Sequence, residues 1–150
     1  EPAEIRGLES IKGRIYQAFA RERGIAPGVV FEHGAVGQTI KHAHLDLVPL
    51  VDNLTETVRQ DFPDHEITVL SSLEKLRELY SQRQEPYLCW RDYGVGHKVC
   101  WNPPAPPQYL RIVLAAVAGR PERGDWRQVD PVLDKQLIAE TVLHMKDYFS

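Results

Sequence analysis

The sequence predicts an α+β domain with an antiparallel sheet of about five strands and flanking helices. Three observations support this prediction: apolar residues at helical spacing in several segments, short apolar or alternating runs between them, and a glycine-containing link that joins two of those runs as a hairpin. Strands and four or five helices in this arrangement make an α+β domain. The 150 residues fit one domain of ordinary size, so we expect a single domain over residues 1–150.

The composition is that of a globular protein, with 43% apolar and 26% charged residues. Its 18 basic and 21 acidic residues give a net charge of −3, which argues against nucleic acid or an anionic membrane as the main partner. No apolar run approaches the roughly 18 residues of a membrane helix, and residues 1–10 show no signal-peptide core. We therefore expect a cytoplasmic protein that binds neither nucleic acid nor membrane.

Two helices are predicted in the first half of the chain. Apolar residues recur at steps of three and four from Leu8 to Phe19, which predicts a helix that ends near Arg23–Gly24. Leu54 and Val58 lie four residues apart, which predicts a short helix over residues 51–60.

Three more helices are predicted in the second half. Residues Ser71–Glu74 resemble a capping box that opens a helix through Tyr80. Pro107 is suited to the first turn of the next helix, and Gly119 is suited to end it. Asp130–Pro131 is a cap followed by a first-turn proline, and predicts the start of the last helix.

Five segments are predicted as strands, and they are Val29–Phe31, Ile40–Leu50, Ile67–Leu70, Tyr87–Trp90 and His97–Trp101. The last two flank a glycine-containing turn. A two-residue turn at residues 94–95 would place Cys89 directly opposite Cys100. Because disulfide geometry is demanding and the chain has only two cysteines, we expect free thiols.

The strand over residues 40–50 carries the most informative pattern in the sequence. Strict alternation places His42, His44 and Asp46 on one face and mainly apolar residues on the other. The β-carbons of His42 and His44 would lie roughly 7 Å apart on that face. Just upstream, a flexible backbone, an amide and a hydroxyl are suited to hold phosphate oxygens, and they come from Gly37, Gln38 and Thr39.

This region resembles the core of the histidine triad (HIT) superfamily of nucleotide hydrolases and transferases. The resemblance rests on Val29–Glu32, Gly37–Thr39, His42–Leu45 and Val48–Pro49. Three later segments look like a longer bacterial branch of HIT-like proteins, and they are Gln108–Arg111, Gly119–Pro121 and Asp125–Arg127. The resemblance implies a HIT-like fold and an enzyme that attacks the α-phosphorus of a nucleotide anhydride or phosphoramidate.

The resemblance also implies individual roles. His44 matches the nucleophile that forms a nucleotidyl-histidine intermediate, and His42 matches the histidine that orients it. The residues expected to bind the substrate are Gly37, Gln38, Thr39, Asp46 and His33, although His33 is equally well read as a structural histidine of a turn. The two-step histidine mechanism requires no cofactor and no metal.

Asp46 departs from the family pattern, because it stands where the third histidine of the triad is found. An ionised aspartate can only accept hydrogen bonds, and its charge repels a phosphate. Lost activity and altered substrate choice both remain open. The alternative function is therefore a catalytically degenerate HIT-like domain that binds a nucleotide or a protein partner.

A second departure concerns the start of the chain. Family members carry strands ahead of the first helix, so the sequence is read either as the C-terminal part of a longer protein or as a domain whose pocket is completed in another way. A homodimer is one such way, since family members commonly form homodimers.

A metal site is the rival interpretation of the same pattern. Two histidines and a carboxylate in His42-X-His44-X-Asp46 are a ligand set for zinc or iron. The remaining histidines show no regular ligand spacing, so we expect no metal.

Overall fold

The computed structural model describes residues 3–24, 28–36, 44–50, 52–94 and 96–148. Within them the helices are α1 (Ala3–Arg23), α2 (Thr55–Asp61), α3 (Leu73–Arg83), α4 (Tyr109–Val117) and α5 (Pro131–Met145). The strands are β1 (Val29–Gly34), β2 (Asp46–Val48), β3 (Ile67–Leu70), β4 (Tyr87–Arg91) and β5 (His97–Trp101). The predicted α+β class is confirmed.

The five strands form one sheet in the order β2-β1-β4-β5-β3, and every neighbouring pair is antiparallel. Strand β2 therefore lies at one edge and β3 at the other. Asp46 in β2 pairs with Phe31 in β1, and Phe31 pairs in turn with Trp90 in β4. Since paired residues share a face of the sheet, Asp46 lies on the same face as these two aromatic rings.

Each face of the sheet is covered by its own apolar cluster. On one face, which we call the α4 face, Phe31 and Trp90 pack with Leu110 and Leu114 of α4. On the opposite face, the α3 face, Cys89 and Val99 pack with Leu76 of α3. Alternation along the strands separates the two clusters, since neighbouring residues point to opposite faces.

The β4–β5 hairpin differs in register from the prediction. Arg91 pairs with His97, so residues 92–96 form the connection, and Cys89 pairs with Val99 instead of Cys100. The prediction that the two cysteines lie opposite each other is wrong, and they belong to clusters on different faces. Both thiols are free and buried, as expected, and burial raises the pKa of Cys100 to about 11.

A buried polar network fixes this hairpin to the start of α2. Asp92 is only 3% exposed, and its Oδ1 accepts the Leu54 backbone N–H at 2.7 Å. Its Oδ2 accepts the Lys98 ammonium at 2.8 Å and the Thr55 hydroxyl. The Thr55 hydroxyl oxygen also accepts the Trp90 indole N–H at 3.0 Å. One carboxylate thus satisfies three donors, two from the start of α2 and one from β5.

The remaining elements follow the sequence closely at their capped ends. Asp130 accepts the backbone N–H groups of Val132 and Leu133 and caps α5, as predicted. The fourth helix differs, because its N-cap is Gln108 in the left-handed conformation, with a φ of 63°. Pro107 therefore precedes the helix instead of lying in its first turn.

Candidate functional site

The candidate site lies at the β2 edge of the sheet, where the structure describes three of the predicted residues: His33, His44 and Asp46. The other four lie outside the described residues, and they are Gly37, Gln38, Thr39 and His42. The strand predicted over residues 40–50 is described only from His44 onward, and β2 occupies Asp46–Val48.

His44 and Asp46 form a pair at this edge. The Nε2 atom of His44 lies 3.9 Å from Oδ2 of Asp46, and the two side chains are 39% and 43% exposed. This distance is too long for a hydrogen bond but within the range of a charge interaction, which solvent weakens because both side chains are partly exposed. Burial raises the pKa of Asp46, although His44 and Arg111 counteract part of the increase. The third position of the predicted triad is therefore a carboxylate beside the proposed nucleophile.

His44 also lines a cleft of about 380 Å³ on the α3 face. We call it the tyrosine cleft, because Tyr80 and Tyr87 form an aromatic wall with ring centroids 5.6 Å apart. Leucines from α1, α3 and the segment before β2 complete its apolar surface, and they are Leu8, Leu45, Leu73 and Leu76. Glu32 and the exposed Arg77 supply charge to this otherwise apolar cleft.

Glu32 is the polar centre of the tyrosine cleft. Its Oε2 accepts the Tyr87 hydroxyl at 3.2 Å. Burial raises the pKa of Glu32, while the hydrogen bond from Tyr87 and the nearby His44 lower it. Burial likewise raises the pKa of Tyr87, and the Glu32 charge adds to that effect. At neutral pH the phenol stays protonated and the carboxylate keeps acceptor sites for a ligand.

Glu32 is not among the site residues predicted from the sequence. A usable signal was present, because Glu32 interrupts the apolar run of β1 and a charged residue in a buried strand needs a partner. Tyr80, Tyr87 and Arg77 carried no comparable signal. Their contribution depends on how α3 and β4 pack together, which local patterns do not reveal.

Gly34 packs directly against the Tyr87 ring of the tyrosine cleft, and we predict that a methyl group at this position destabilises the fold. A Cβ at Gly34 would overlap the Tyr87 ring. Gly34→Ala should therefore lower the free energy of unfolding by about 1–3 kcal/mol, measured by urea denaturation. Gly13→Ala is the control, because a Cβ at Gly13 in α1 meets nothing within 4 Å. That control should be neutral or stabilising by up to about 1 kcal/mol, and equal losses in both variants would contradict the prediction.

A second cleft, of about 260 Å³, opens on the α4 face. We call it the arginine cleft, since it is lined by Arg111, Arg120 and Arg123, and Asp46 forms part of its wall. The two clefts lie on opposite faces of the sheet and approach each other at the β2 edge. His44 lines one, Asp46 lines the other, and the 3.9 Å contact joins them.

His33 is buried on β1 and lines neither of the two clefts. Its Nε2 accepts the backbone N–H of Leu110 at 3.0 Å, which ties β1 to the first turn of α4. Desolvation lowers the pKa of His33 to about 4, and the nearby His44 adds to the effect. This environment suits a neutral, structural imidazole, and direct substrate contact by His33 stays a prediction.

The buried histidine makes stability sensitive to acid. The pKa of His33 falls from 6.5 to about 4 on folding, so the unfolded chain binds the proton more tightly and stability falls as the pH drops between these values. The loss is at most about 3 kcal/mol, because one pKa unit corresponds to about 1.4 kcal/mol. Glu32 and Asp46 act in the opposite direction, since their pKa values are raised.

We predict that His33→Gln reduces this acid sensitivity, because glutamine can accept the Leu110 N–H without titrating. The free energy of unfolding, measured by urea denaturation at pH 7 and pH 4.5, should fall less between these two pH values in the variant than in the wild type. His144→Gln is the control, because His144 is 53% exposed. An unchanged drop in His33→Gln would remove His33 as the cause.

The structure leaves the metal interpretation untested, because His42 lies outside the described residues. In the part of the chain that is described, no group of three or more histidine, cysteine, aspartate or glutamate side chains could hold a metal ion. None of the helices in that part is long and apolar enough to span a membrane.

The fold and the site together define an α+β domain with a histidine–carboxylate pair at a sheet edge, between an aromatic cleft and an arginine-lined cleft. No family model matches the chain, and neither a curated protein nor a solved structure matches it.

Proposed function

We propose that the protein is a HIT-like nucleotide phosphohydrolase or nucleotidyl transferase with His44 as its nucleophile. The observation that supports this proposal is the position of His44, which lines a cleft large enough for a ligand and lies beside Asp46 at the sheet edge. A side chain that is 39% exposed can be reached by a substrate. The order of motifs in the sequence supports the HIT-like assignment, and the cleft is the proposed place for the nucleotide.

The reaction proposed has two displacements at the α-phosphorus. In the first, a neutral His44 nitrogen attacks, an N–P bond forms and the leaving group departs with the electron pair of the broken bond. In the second, water or another acceptor attacks the nucleotidyl-histidine, the N–P bond breaks with its electron pair returning to the His44 nitrogen, and the attacking group loses its proton to solvent. Splitting one displacement into two lowers each barrier. His42, Gln38 and Thr39 are proposed to orient the nucleophile and to contact the phosphate.

The tyrosine cleft is the proposed nucleoside pocket. The rings of Tyr80 and Tyr87 offer aromatic surface to a base, and stacking on such a surface contributes about 1–3 kcal/mol. The Glu32 carboxylate has lone pairs beyond the one that accepts the Tyr87 hydroxyl, so it can accept hydrogen bonds from ribose hydroxyls. The pocket is consistent with a nucleotide but selects no particular base.

The alternative is a catalytically degenerate domain that binds a nucleotide without turnover. The observation that favours it is the Asp46 carboxylate, 3.9 Å from His44, where a negatively charged phosphate would have to approach. In this case nucleotide would still raise the melting temperature, because ligand binding stabilises the folded state by mass action.

Trapping the intermediate tests the proposal. The full chain is incubated with ATP or diadenosine tetraphosphate labelled at the α-phosphate and is then denatured at alkaline pH, where a phosphoramidate linkage survives. We expect covalent label on the wild type, which peptide mapping assigns to His44, and no label on His44→Ala. His144→Ala, which removes an exposed histidine, is the control and should be labelled like the wild type.

The other outcomes are also informative. Label of equal intensity on His44→Ala would remove His44 from the mechanism. Absence of both label and turnover, together with stabilisation of the wild type by nucleotide, would favour the degenerate binding domain.

A further inference from the structure

Among the residues that line the arginine cleft, basic side chains outnumber acidic ones by three to one. The cleft is lined by Arg111, Arg120 and Arg123, and Asp46 is its single acidic lining residue. Two carboxylates outside the lining pair with these arginines: Glu122 with Arg120 at 2.6 Å and Asp134 with Arg123 at 3.1 Å. Arg111 lies within 4 Å of no carboxylate in the described part of the chain, so its guanidinium is the least neutralised of the three.

The arginines also keep donors for a ligand. A guanidinium has five N–H donors in a planar fork that matches phosphate oxygens. Arg111 uses its Nε–H on the Arg123 carbonyl at 3.4 Å, and Arg120 and Arg123 each donate to one carboxylate. The Arg120–Glu122 pair is highly exposed, at 62% and 60%, so an incoming anion can compete with Glu122.

The arginine cleft lies close to His44, the proposed nucleophile. Asp46 lines the arginine cleft and lies 3.9 Å from Nε2 of His44. Arg111 acts electrostatically on Asp46, because it counteracts the increase in the pKa of that carboxyl. Through Asp46, one wall of the arginine cleft therefore lies within 3.9 Å of a ring nitrogen of His44.

We propose that the arginine cleft binds the oligophosphate leaving group of the substrate, which makes the protein selective for nucleoside polyphosphates over nucleoside phosphoramidates. This inference rests on the proposed function for its reaction. When the His44–phosphorus bond forms, the P–O anhydride bond breaks and its electron pair stays on the bridging oxygen of the departing diphosphate or triphosphate. The three guanidinium groups stabilise that negative charge. An amine leaving group carries no negative charge, so it gains nothing from the cleft.

Direct binding tests the site independently of catalysis. Isothermal titration calorimetry with inorganic tripolyphosphate should show saturable binding to the wild type. Arg111→Ala should weaken it at least tenfold, and the exposed Arg120→Ala should weaken it less. Arg59→Ala is the matched control, because Arg59 is exposed, pairs with Glu56 on α2 and does not line the arginine cleft, so its loss should leave the affinity unchanged. Circular dichroism checks that each variant is folded.

Turnover then tests selectivity. Arg111→Ala should lower kcat/KM for ATP or diadenosine tetraphosphate at least tenfold and should change kcat/KM for adenosine phosphoramidate less than twofold. The absence of tripolyphosphate binding, or an equal loss in Arg59→Ala, would overturn the anion site. Equal losses for both substrate classes would overturn the selectivity. If no substrate is turned over but tripolyphosphate binds through Arg111, the enzyme proposal fails and the anion site stands.

Discussion

Asp92→Ala is expected to lower the free energy of unfolding by about 3–5 kcal/mol, as is typical when one partner of a buried ion pair is removed. Asp92 is 3% exposed and Lys98 is 7% exposed, so solvent cannot replace the lost interaction. The variant leaves a buried ammonium unpaired. It also leaves the Leu54 backbone N–H and the Thr55 hydroxyl without their acceptor.

Urea denaturation measures this loss, with Asp130→Ala as the control. Asp130 also accepts two backbone N–H groups, but it does so at the exposed start of α5, so its loss should cost only about 1 kcal/mol. An Asp92→Ala variant within about 1 kcal/mol of the wild type would show that the network does not stabilise the fold.

A double-mutant cycle separates the charge from the hydrogen bonds. Lys98→Met in the Asp92→Ala background removes the unpaired ammonium and keeps most of the aliphatic length. The double variant should therefore regain part of the stability lost in Asp92→Ala. No recovery would indicate that the backbone and hydroxyl donors, instead of the Lys98 charge, account for the loss.

The same network explains why the hairpin register could not be predicted. The residues around Gly94 suggested a two-residue turn, but Asp92 leaves the β4–β5 ladder to bond Leu54 and Thr55 in a different part of the chain. These long-range hydrogen bonds lengthen the connection to residues 92–96 and change which residues of β4 and β5 pair with each other. Local turn propensity contains no information about it.

Helix and strand bounds could be predicted where residues next to them in the sequence determine them. The bounds of β3 follow from a short apolar run, and the start of α5 follows from the Asp130 cap and Pro131. α2 begins at Thr55 instead of Val51, since its first N–H partners come from Asn53 and Asp92. The start of α5 was thus predictable from its adjacent cap, whereas the start of α2 depends in part on Asp92, which is distant in the sequence.

In the candidate site, too, local features could be predicted from the sequence and long-range features could not. Alternation over residues 42–46 predicted that His44 and Asp46 share one face of a strand. The structure places their side chains 3.9 Å apart, but His44 lines the cleft on the α3 face and Asp46 lines the cleft on the α4 face, so the prediction of a shared face is wrong. The cleft walls could not be predicted, because Tyr80 lies on α3 and Arg111 on α4, and both approach β2 only through the tertiary packing. For His33 the sequence left a pocket role and a structural role open, and the structure shows a hydrogen bond from the Leu110 backbone N–H to its Nε2 atom.

Asp46→Asn is expected to raise kcat/KM for a nucleoside polyphosphate about tenfold at pH 8. A full charge about 5 Å from a phosphate costs about 3 kcal/mol at an effective dielectric constant of 20. Since the side chains of His44 and Asp46 are 39% and 43% exposed, water screens part of this energy, and about 1.4 kcal/mol is a suitable expectation. Asparagine has the same shape, carries no charge and can donate a hydrogen bond to a phosphate oxygen.

The pH dependence gives this prediction a second readout. Burial raises the pKa of Asp46, so lowering the pH protonates the wild-type carboxyl and removes the charge that the variant lacks at every pH. The advantage of Asp46→Asn should therefore shrink as the pH falls toward that raised pKa. Asp64→Asn, an exposed carboxyl in the turn after α2, is the matched control and should change neither kcat/KM nor its pH profile.

A background without the nucleophile shows whether the gain involves His44. The double variant His44→Ala/Asp46→Asn should be inactive, because relief of repulsion accelerates attack only when an attacking nitrogen is present. A fall in kcat/KM for Asp46→Asn alone would mean that the carboxylate takes part in the reaction, for example by holding a protonated His44 or positioning Arg111. Because Asp46 contacts both groups electrostatically, the sign of this single change decides whether the third triad position is a defect or an adaptation.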